Sequence, residues 1–158
     1  MEIILLRHGK AEDHGHPLGD AARALVEKGR VQSRAAARLL MAADLLPEIV
    51  LTSPLTRARQ TADEFCTQAS MPGPVVQHWL ACGVDPETIA AELGAFTDFK
   101  RVAIVGHEPD FSTFVQWSLG ALGGTIDFKK GAIACLQLTP PSRHGTLRYL
   151  APPRLIGN

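Results

Sequence analysis

The sequence is poor in the features that would take it out of the ordinary globular proteins. Cysteine is scarce: Cys66, Cys82 and Cys135 are the three in 158 residues, odd in number and far apart. They make no Cys-x-x-Cys pair and no zinc pattern, which argues against a disulfide framework and for a reducing, cytoplasmic setting. Charge of one sign is not in excess, since 16 Lys and Arg balance 16 Asp and Glu. A chain without a basic field has no sequence-independent hold on nucleic acid, so none is expected as a partner. No apolar run is long enough to span a bilayer, and no basic segment leads into a long apolar core at the N-terminus. Neither a membrane partner nor a signal peptide is therefore expected. Internal repeats and low-complexity segments are absent too.

What remains is 46% hydrophobic and 20% charged. That composition and length suit one soluble domain, residues 1–158, with a single two- or three-layer core. Its most informative stretch comes first. Ile3-Ile4-Leu5-Leu6 is a short apolar run that stops at Arg7-His8-Gly9. Such a run, bounded by glycine, reads as a buried strand of a parallel sheet. Ligands in open α/β sheets bind just beyond the carboxyl ends of the strands. Arg7 and His8 are thus delivered to that crevice, and Gly9 permits a sharp turn and a close approach there.

Further along, a polar loop carries His14-Gly15-His16-Pro17. No carboxylate or cysteine stands at a matching metal-ligand spacing, so a metal is not expected. Residues 18–27 read as a short helix ended by Gly29. Residues 31–43 read as a stronger helix, with Val31, Ala35, Leu39 and Ala43 on one face and the stripe Arg30, Arg34 and Arg38 on a solvated one. Residues 48–52 are a second strand. It leads into a helix to about Ala69, with Ser53 as N-cap and Pro54 in the first position. A third strand is expected at 75–79, and a helix from Asp85 or Pro86 to about 94–96. A fourth strand at 101–105 ends in Gly106-His107-Glu108-Pro109-Asp110, followed by a helix over 111–119. Residues 132–138 and 146–150 read as an antiparallel hairpin, and the tail from Pro152 as loose. Strands alternating with helices before a closing hairpin predict an α/β/α three-layer sandwich with a mostly parallel central sheet.

Three strand ends now carry polar payloads: Arg7 and His8, then Ser53 leading to Arg57, then His107. Two arginines, two histidines and two helix N-termini around one crevice suit an anion. Arginine forks bind phosphoryl oxygens in pairs, and a neutral imidazole is a competent nucleophile near pH 7. Concentrated positive charge stabilises a phosphoryl-transfer transition state without a metal, so no cofactor is expected. The same charges are expected to hold His8 neutral by lowering its pKa.

Leu-Leu-Arg7-His8-Gly9-Lys10-Ala, Ser53-Pro-Leu-Thr-Arg57-Ala-x-Gln-Thr61-Ala and Val-Gly-His107-Glu-Pro together resemble the histidine phosphatase (phosphoglycerate mutase-like) superfamily. The short length and Asp20-x-x-Arg23-x-Leu25-x-x-x-Gly29 are similar to its SixA branch of phosphohistidine phosphatases. The resemblance implies that His8 is the nucleophile and becomes phosphohistidine. It implies that Arg7, Arg57 and His107 bind the phosphoryl oxygens, with His107 protonated once they are bound, and that Gly9 orients His8. Larger members carry an inserted helical subdomain with an acidic group. Only 45 residues separate Thr61 from His107 here, too few for that lid. Asp20 is then the candidate acid, with a helix N-cap as its alternative; Glu12 and Glu108 are weaker candidates. Glu108 could instead turn away, pair with an arginine or tune substrate choice, and Lys10 sits on the rim.

A phosphohistidine needs less acid help than an ester, because imidazole leaves more readily than an alkoxide. A site without a lid is expected to be open to a side chain on another protein. The expected partner is therefore a phosphohistidine-bearing signalling or phosphotransfer protein. The alternatives are a small phosphate ester, which makes the protein a phosphomonoesterase, or a non-catalytic phosphate-binding module. A Ser hydrolase lacks its Gly-x-Ser-x-Gly elbow.

Overall fold

The computed structural model describes residues 1–157. Its centre is a six-stranded sheet built from β1 (Glu2–Arg7), β2 (Ile49–Thr52), β3 (Val75–Val76), β4 (Arg101–Gly106), β5 (Ile133–Gln137) and β6 (Thr146–Ala151), in the order β3-β2-β4-β1-β5-β6. The β1–β4, β2–β4 and β2–β3 pairs are parallel, whereas β5 is antiparallel to both β1 and β6. β5 and β6 form the expected closing hairpin.

Five α-helices flank the sheet: α1 (Glu27–Ala42), α2 (Thr56–Gln68), α3 (Pro86–Leu93), α4 (Asp110–Leu119) and α5 (Pro153–Ile156). Alternation along β1 sorts them into two layers. Ile4 and Leu6 face Ala36, Ala37 and Leu40 of α1 and Ala58, Ala62 and Phe65 of α2. Ile3 and Leu5 face Ile89 and Leu93 of α3 and Phe111, Phe114 and Val115 of α4. Because both faces are covered, the strands carry continuous apolar runs instead of alternating ones. The fold is the expected three-layer α/β sandwich, and no large helical insertion interrupts it.

Several elements differ from expectation. Residues 18–27 are not a helix. They hold a single 3₁₀ turn, Asp20–Ala22, and a β-bridge between Ala11 and Leu25. Arg23 folds its guanidinium back on Asp20 three residues earlier, which closes one turn and goes no further. Gly29 ends nothing: it lies inside α1, which begins four residues before Val31. Its reason is tertiary. A Cβ at Gly29 would lie 2.1 Å from the Lys10 carbonyl oxygen, and one at Gly9 would lie 2.5 Å from the Gly29 carbonyl oxygen. Only two glycines let the chain beyond β1 cross α1 so closely.

Ser53 and Pro54 do not start α2, which begins at Thr56 with Leu55 as its N-cap. The third strand stops at Val76, and His78–Leu80 is a 3₁₀ turn. The tail is not loose: α5 follows Pro152, and Ile156 packs on the α1 side of the core. The Arg stripe of α1 is not merely solvated. Arg30 and Arg34 both donate at 2.8 Å to Glu64 of α2, fastening the two helices.

Candidate functional site

Hydrogen bonding at the carboxyl ends of β1, β2 and β4 brings the candidate residues together. Arg7 is level with Gly106 in the β1–β4 register, and the His8 amide donates to the Gly106 carbonyl at 3.0 Å. Ser53 continues β2, its amide donating to the Val105 carbonyl at 3.0 Å. His107 is the next residue after β4. The His8 and His107 ring centroids are 5.3 Å apart, with the rings tilted. His8, Arg57 and His107 are only 5%, 3% and 2% exposed. The absence of a lid therefore does not leave the site open as expected, because the turn containing Asp20 lies against Arg57.

His8 is held in one tautomer. Its Nδ1 lies 2.8 Å from the Gly9 carbonyl oxygen, which can only accept, so Nδ1 bears the proton and Nε2 keeps its lone pair. The pKa of His8 falls to about 4. Burial is the main cause, and the charges of Arg57, Arg7 and Lys130 add to it against the Gly9 hydrogen bond. The direction is the one expected, but desolvation contributes more than the arginines. His8 is thus a neutral imidazole with a free Nε2 at neutral pH.

Gly9 is fixed in turn by Thr61. The Gly9 amide donates to Thr61 Oγ1 at 3.1 Å, and that hydroxyl donates to the Arg57 carbonyl at 2.7 Å. One threonine one turn along α2 therefore ties the His8–Gly9 loop to the helix that carries Arg57. This gives the spacing Arg57-x-x-x-Thr61 a physical role.

His107 Nε2 is 2.8 Å from Ser53 Oγ. The Ser53 hydroxyl oxygen also faces the Leu55 amide at 3.3 Å. With that lone pair engaged, the hydroxyl is free to donate to Nε2, which leaves the Nδ1 proton of His107 facing the crevice. The His107 pKa falls to about 3, mainly by burial and then by His8 and Arg57, so this ring too is neutral as folded. Arg7 donates from Nη1 to the Phe128 carbonyl at 2.5 Å, and burial lowers its pKa although Glu108 and Asp127 oppose this.

Among the described residues, three buried side-chain polar atoms have no hydrogen-bond partner: Arg7 Nε, Arg57 Nε and His107 Nδ1. Buried polar groups are almost always paired, because an unmet donor costs about 1–3 kcal/mol. Here the exceptions all belong to candidate site residues gathered with His8. The arrangement can accept the oxygens of a tetrahedral anion while Nε2 of His8 faces its centre.

The two acidic residues beside the site behave differently. Asp20 accepts from Arg23 Nε at 2.7 Å, and its other oxygen lies 3.1 Å from Arg57 Nη2. Partial burial would raise its pKa, but the Arg23 bond and the Arg57 charge win and hold it low. It is a carboxylate, not a loaded proton donor, and it is not a helix N-cap either: its 3₁₀ turn is preceded by Gly19. Glu108 accepts from the Ser112 amide at 3.0 Å in the first turn of α4 and makes no ion pair with Arg7, although its charge is felt there. Burial raises its pKa against that bond and the Arg7 charge. Glu12 accepts from the Ala24 amide and braces the same loop as Asp20.

Several contributors carry no motif. Arg23 is buried and also donates to the Glu12 carbonyl at 2.7 Å. Cys82 presents Sγ 3.5 Å from Arg57 Nη2. Lys130 precedes Gly131, whose amide lies 3.1 Å from both the Arg7 and His8 carbonyls. Asp20-x-x-Arg23, part of the SixA-like pattern, is the one sequence signal for Arg23, and none marks Lys130 or Cys82. No group of three or more His, Cys, Asp or Glu able to hold a metal occurs among the described residues, and His16 accepts from the Leu18 amide instead.

The sequence model of the histidine phosphatase superfamily (branch 1) matches residues 3–79. An uncharacterised protein of Picosynechococcus is 33% identical over 147 residues, covering 87% of this chain and 85% of that one. Phosphohistidine phosphatase SixA of Escherichia coli is 31% identical over 113 residues, covering 69% and 68%. A solved structure of the protein histidine phosphatase SixA complexed with tungstate superposes with a TM-score of 0.85 at 29% identity, over 98% of each chain.

Proposed function

Because this chain belongs to the histidine phosphatase superfamily, in its SixA-type branch, we propose that it is a metal-independent phosphatase that removes the phosphoryl group from phosphohistidine on another protein. Membership carries the coarser part, a hydrolase acting on phosphoryl groups. The observation that supports the mechanism is the trio of unpaired buried atoms around a neutral His8 with a free Nε2. The superposed phosphatase holds tungstate, a tetrahedral oxyanion of phosphate's shape, and three unmet polar atoms around a nucleophile suit the same kind of guest.

In the first step His8 Nε2 attacks phosphorus in line with the leaving nitrogen. The bond from His8 to phosphorus forms as the bond to the substrate imidazole breaks, and the departing nitrogen takes a proton from solvent. Water then attacks the phosphorylated His8, the nitrogen–phosphorus bond breaks, and inorganic phosphate leaves. Arg7 and Arg57 bind the equatorial oxygens, where negative charge is spread in the transition state. A bound dianion accepts from the Nδ1–H of His107 and raises that ring's pKa, favouring its charged form. Gly9, Thr61 and Ser53 hold these groups in place before substrate arrives.

The phosphohistidine preference rests on two features. The acidic side chain beside Arg57 is held ionised, so little proton donation is on offer, and imidazole needs less of it than an alkoxide. The cover over the site is one short turn, not an inserted subdomain, which suits a side chain presented on a protein surface. The test compares hydrolysis of a phosphohistidine protein and an alkyl phosphate monoester by wild type and His8→Ala. Strong preference for the protein, with His8→Ala inert and unlabelled by phosphate, is expected. Equal or faster monoester hydrolysis would move the small-ester activity into first place.

A further inference from the structure

Arg57 is the one phosphoryl-binding arginine whose terminal nitrogens are already engaged by an anion. Nη2 lies 3.1 Å from Asp20 Oδ2, and Nη1 donates to the Asp20 backbone carbonyl at 2.9 Å. One residue thus offers two oxygens to one guanidinium fork, the bidentate pattern that a phosphoryl group presents. The opposite carboxylate oxygen is steadied by Arg23 at 2.7 Å, and the imidazole of His14 is 3.4 Å away. The Asp20 side chain is half exposed whereas that of Arg57 is almost wholly buried. The turn is therefore a surface element reaching inward. It is bracketed on one side by Gly15 and Gly19, with φ of +93° and +87° and open space where a Cβ would stand. Both can change conformation without displacing a neighbour.

We infer that Asp20 is a resident anion in the Arg57 fork, which an incoming phosphoryl group must displace, and that this competition selects for doubly charged phosphoryl groups. The inference rests on the proposed phosphatase site. Exchange of one carboxylate for another gains nothing, so acidic side chains of a partner and small monoanions are turned away. A phosphoryl dianion brings more charge and further oxygens, which also satisfy the unpaired Nε of Arg7 and Nδ1 of His107. Displacement then leaves Asp20 with Arg23, so its charge stays paired.

The experiment measures binding of inorganic phosphate and of acetate to wild type, Asp20→Asn and Arg57→Ala by calorimetry. Asp20→Asn keeps the shape of the side chain and the backbone carbonyl, and loses the charge. Expected is about tenfold tighter phosphate binding by Asp20→Asn, together with acetate binding that wild type does not show; tenfold is the scale of one charge-assisted contact at a half-exposed position. Arg57→Ala is expected to lose phosphate affinity and to gain nothing from a second Asp20→Asn change. Phosphate binding that is unchanged or weaker in Asp20→Asn, with Arg57→Ala still defective, overturns the competition while leaving the phosphatase site standing. Arg57→Ala that binds phosphate as wild type does overturns both. Hydrogen exchange gives a second readout. Phosphate should speed exchange of the Ala22 and Arg23 amides, which bond within the turn, whereas slower exchange there would mean that the turn closes over the anion instead.

Discussion

Replacing Gly29 by alanine sets two physical rules against each other. By local propensity the change should stabilise, since Gly29 lies within α1 and alanine is favoured over glycine in a helix by about 1 kcal/mol. By packing it should destabilise. The new Cβ would sit 2.1 Å from the Lys10 carbonyl oxygen, 2.8 Å from its nitrogen and 3.0 Å from its carbonyl carbon. All three are backbone atoms, so no flexible side chain can swing aside, and the loop leaving β1 must move away from α1. Overpacking typically costs about 1–3 kcal/mol, and this site belongs at the upper end because a peptide unit must shift. The net expectation is about 2 kcal/mol of lost stability, a Tm roughly 4–8 °C lower for a domain of this size. Gly94 is the matched control. It has φ of −56° and no atom within 4 Å of a Cβ, so Gly94→Ala should gain about 0.4–1 kcal/mol. Thermal and urea unfolding followed by circular dichroism would compare both variants with wild type. The displaced loop also holds the Gly9 carbonyl that fixes the His8 tautomer, so Gly29→Ala should lose turnover beyond its loss of folded protein. A Gly29→Ala protein as stable as Gly94→Ala would refute the close-crossing argument.

Arg57→Ala should slow turnover about a hundredfold to a thousandfold, the usual cost of one preorganised donor, while leaving the fold intact; unchanged kinetics in a folded variant would remove Arg57 from the site. The pH dependence of stability follows from two histidines whose folded pKa values, about 4 and about 3, lie below the unfolded value. The unfolded chain therefore binds more protons, so stability is full above about pH 6.5 and falls as pH drops through 4, on the order of 2 kcal/mol per pH unit near pH 5. Urea unfolding from pH 7.5 to 4 should show that slope in wild type and a flatter one in His8→Asn/His107→Asn; equal slopes would contradict the buried neutral pair. Ser53→Ala should leave both nitrogens of buried His107 unmet, costing about 1–3 kcal/mol in unfolding and lowering kcat more than it raises KM; a variant with wild-type kcat would show that Ser53 does not orient the ring.

The parts of this molecule that were readable from sequence are those where local pattern and tertiary role coincide. Ile3-Ile4-Leu5-Leu6 and Val102-Ala103-Ile104-Val105 are apolar throughout because both faces of the sheet are covered, and an apolar run ending in His-Gly or Gly-His marks its own crevice. Asp85-Pro86 starts α3 as capping rules demand, with the Asp85 carboxylate accepting from the Thr88 amide at 2.7 Å. The misread elements are those where a residue is spent on a distant contact. Gly29 looks like a terminator and is a crossing point. Ser53 has the chemistry of an N-cap, but its hydroxyl is committed to His107 across the strand ends. The tail has two prolines and looks loose, yet Ile156 reaches a core assembled mainly by residues 4–135. None of these partners lies within a helical turn of the residue, so no window along the chain contains them.

The balanced composition of the whole chain conceals how charge is used at the site. Arg7, Arg57 and Arg23 gather within a small region with Lys130 at its edge, and as folded the site adds no charge from its histidines to theirs. Burial keeps both histidines neutral, Asp20 engages Arg23 and Arg57, and backbone carbonyls of Phe128 and Glu12 take further guanidinium donors. Each of these can be exchanged for a contact to a dianion that enters. Carbonyls can share a donor, a neutral imidazole can take a proton, and a half-exposed carboxylate can return to water. A site wired with permanent cations alone would repel itself and weaken the fold, whereas one that stores its positive charge in reversible pairings can be stable before substrate arrives and strongly cationic once it has. That logic explains why the two histidines are buried so deeply for groups meant to meet a charged substrate.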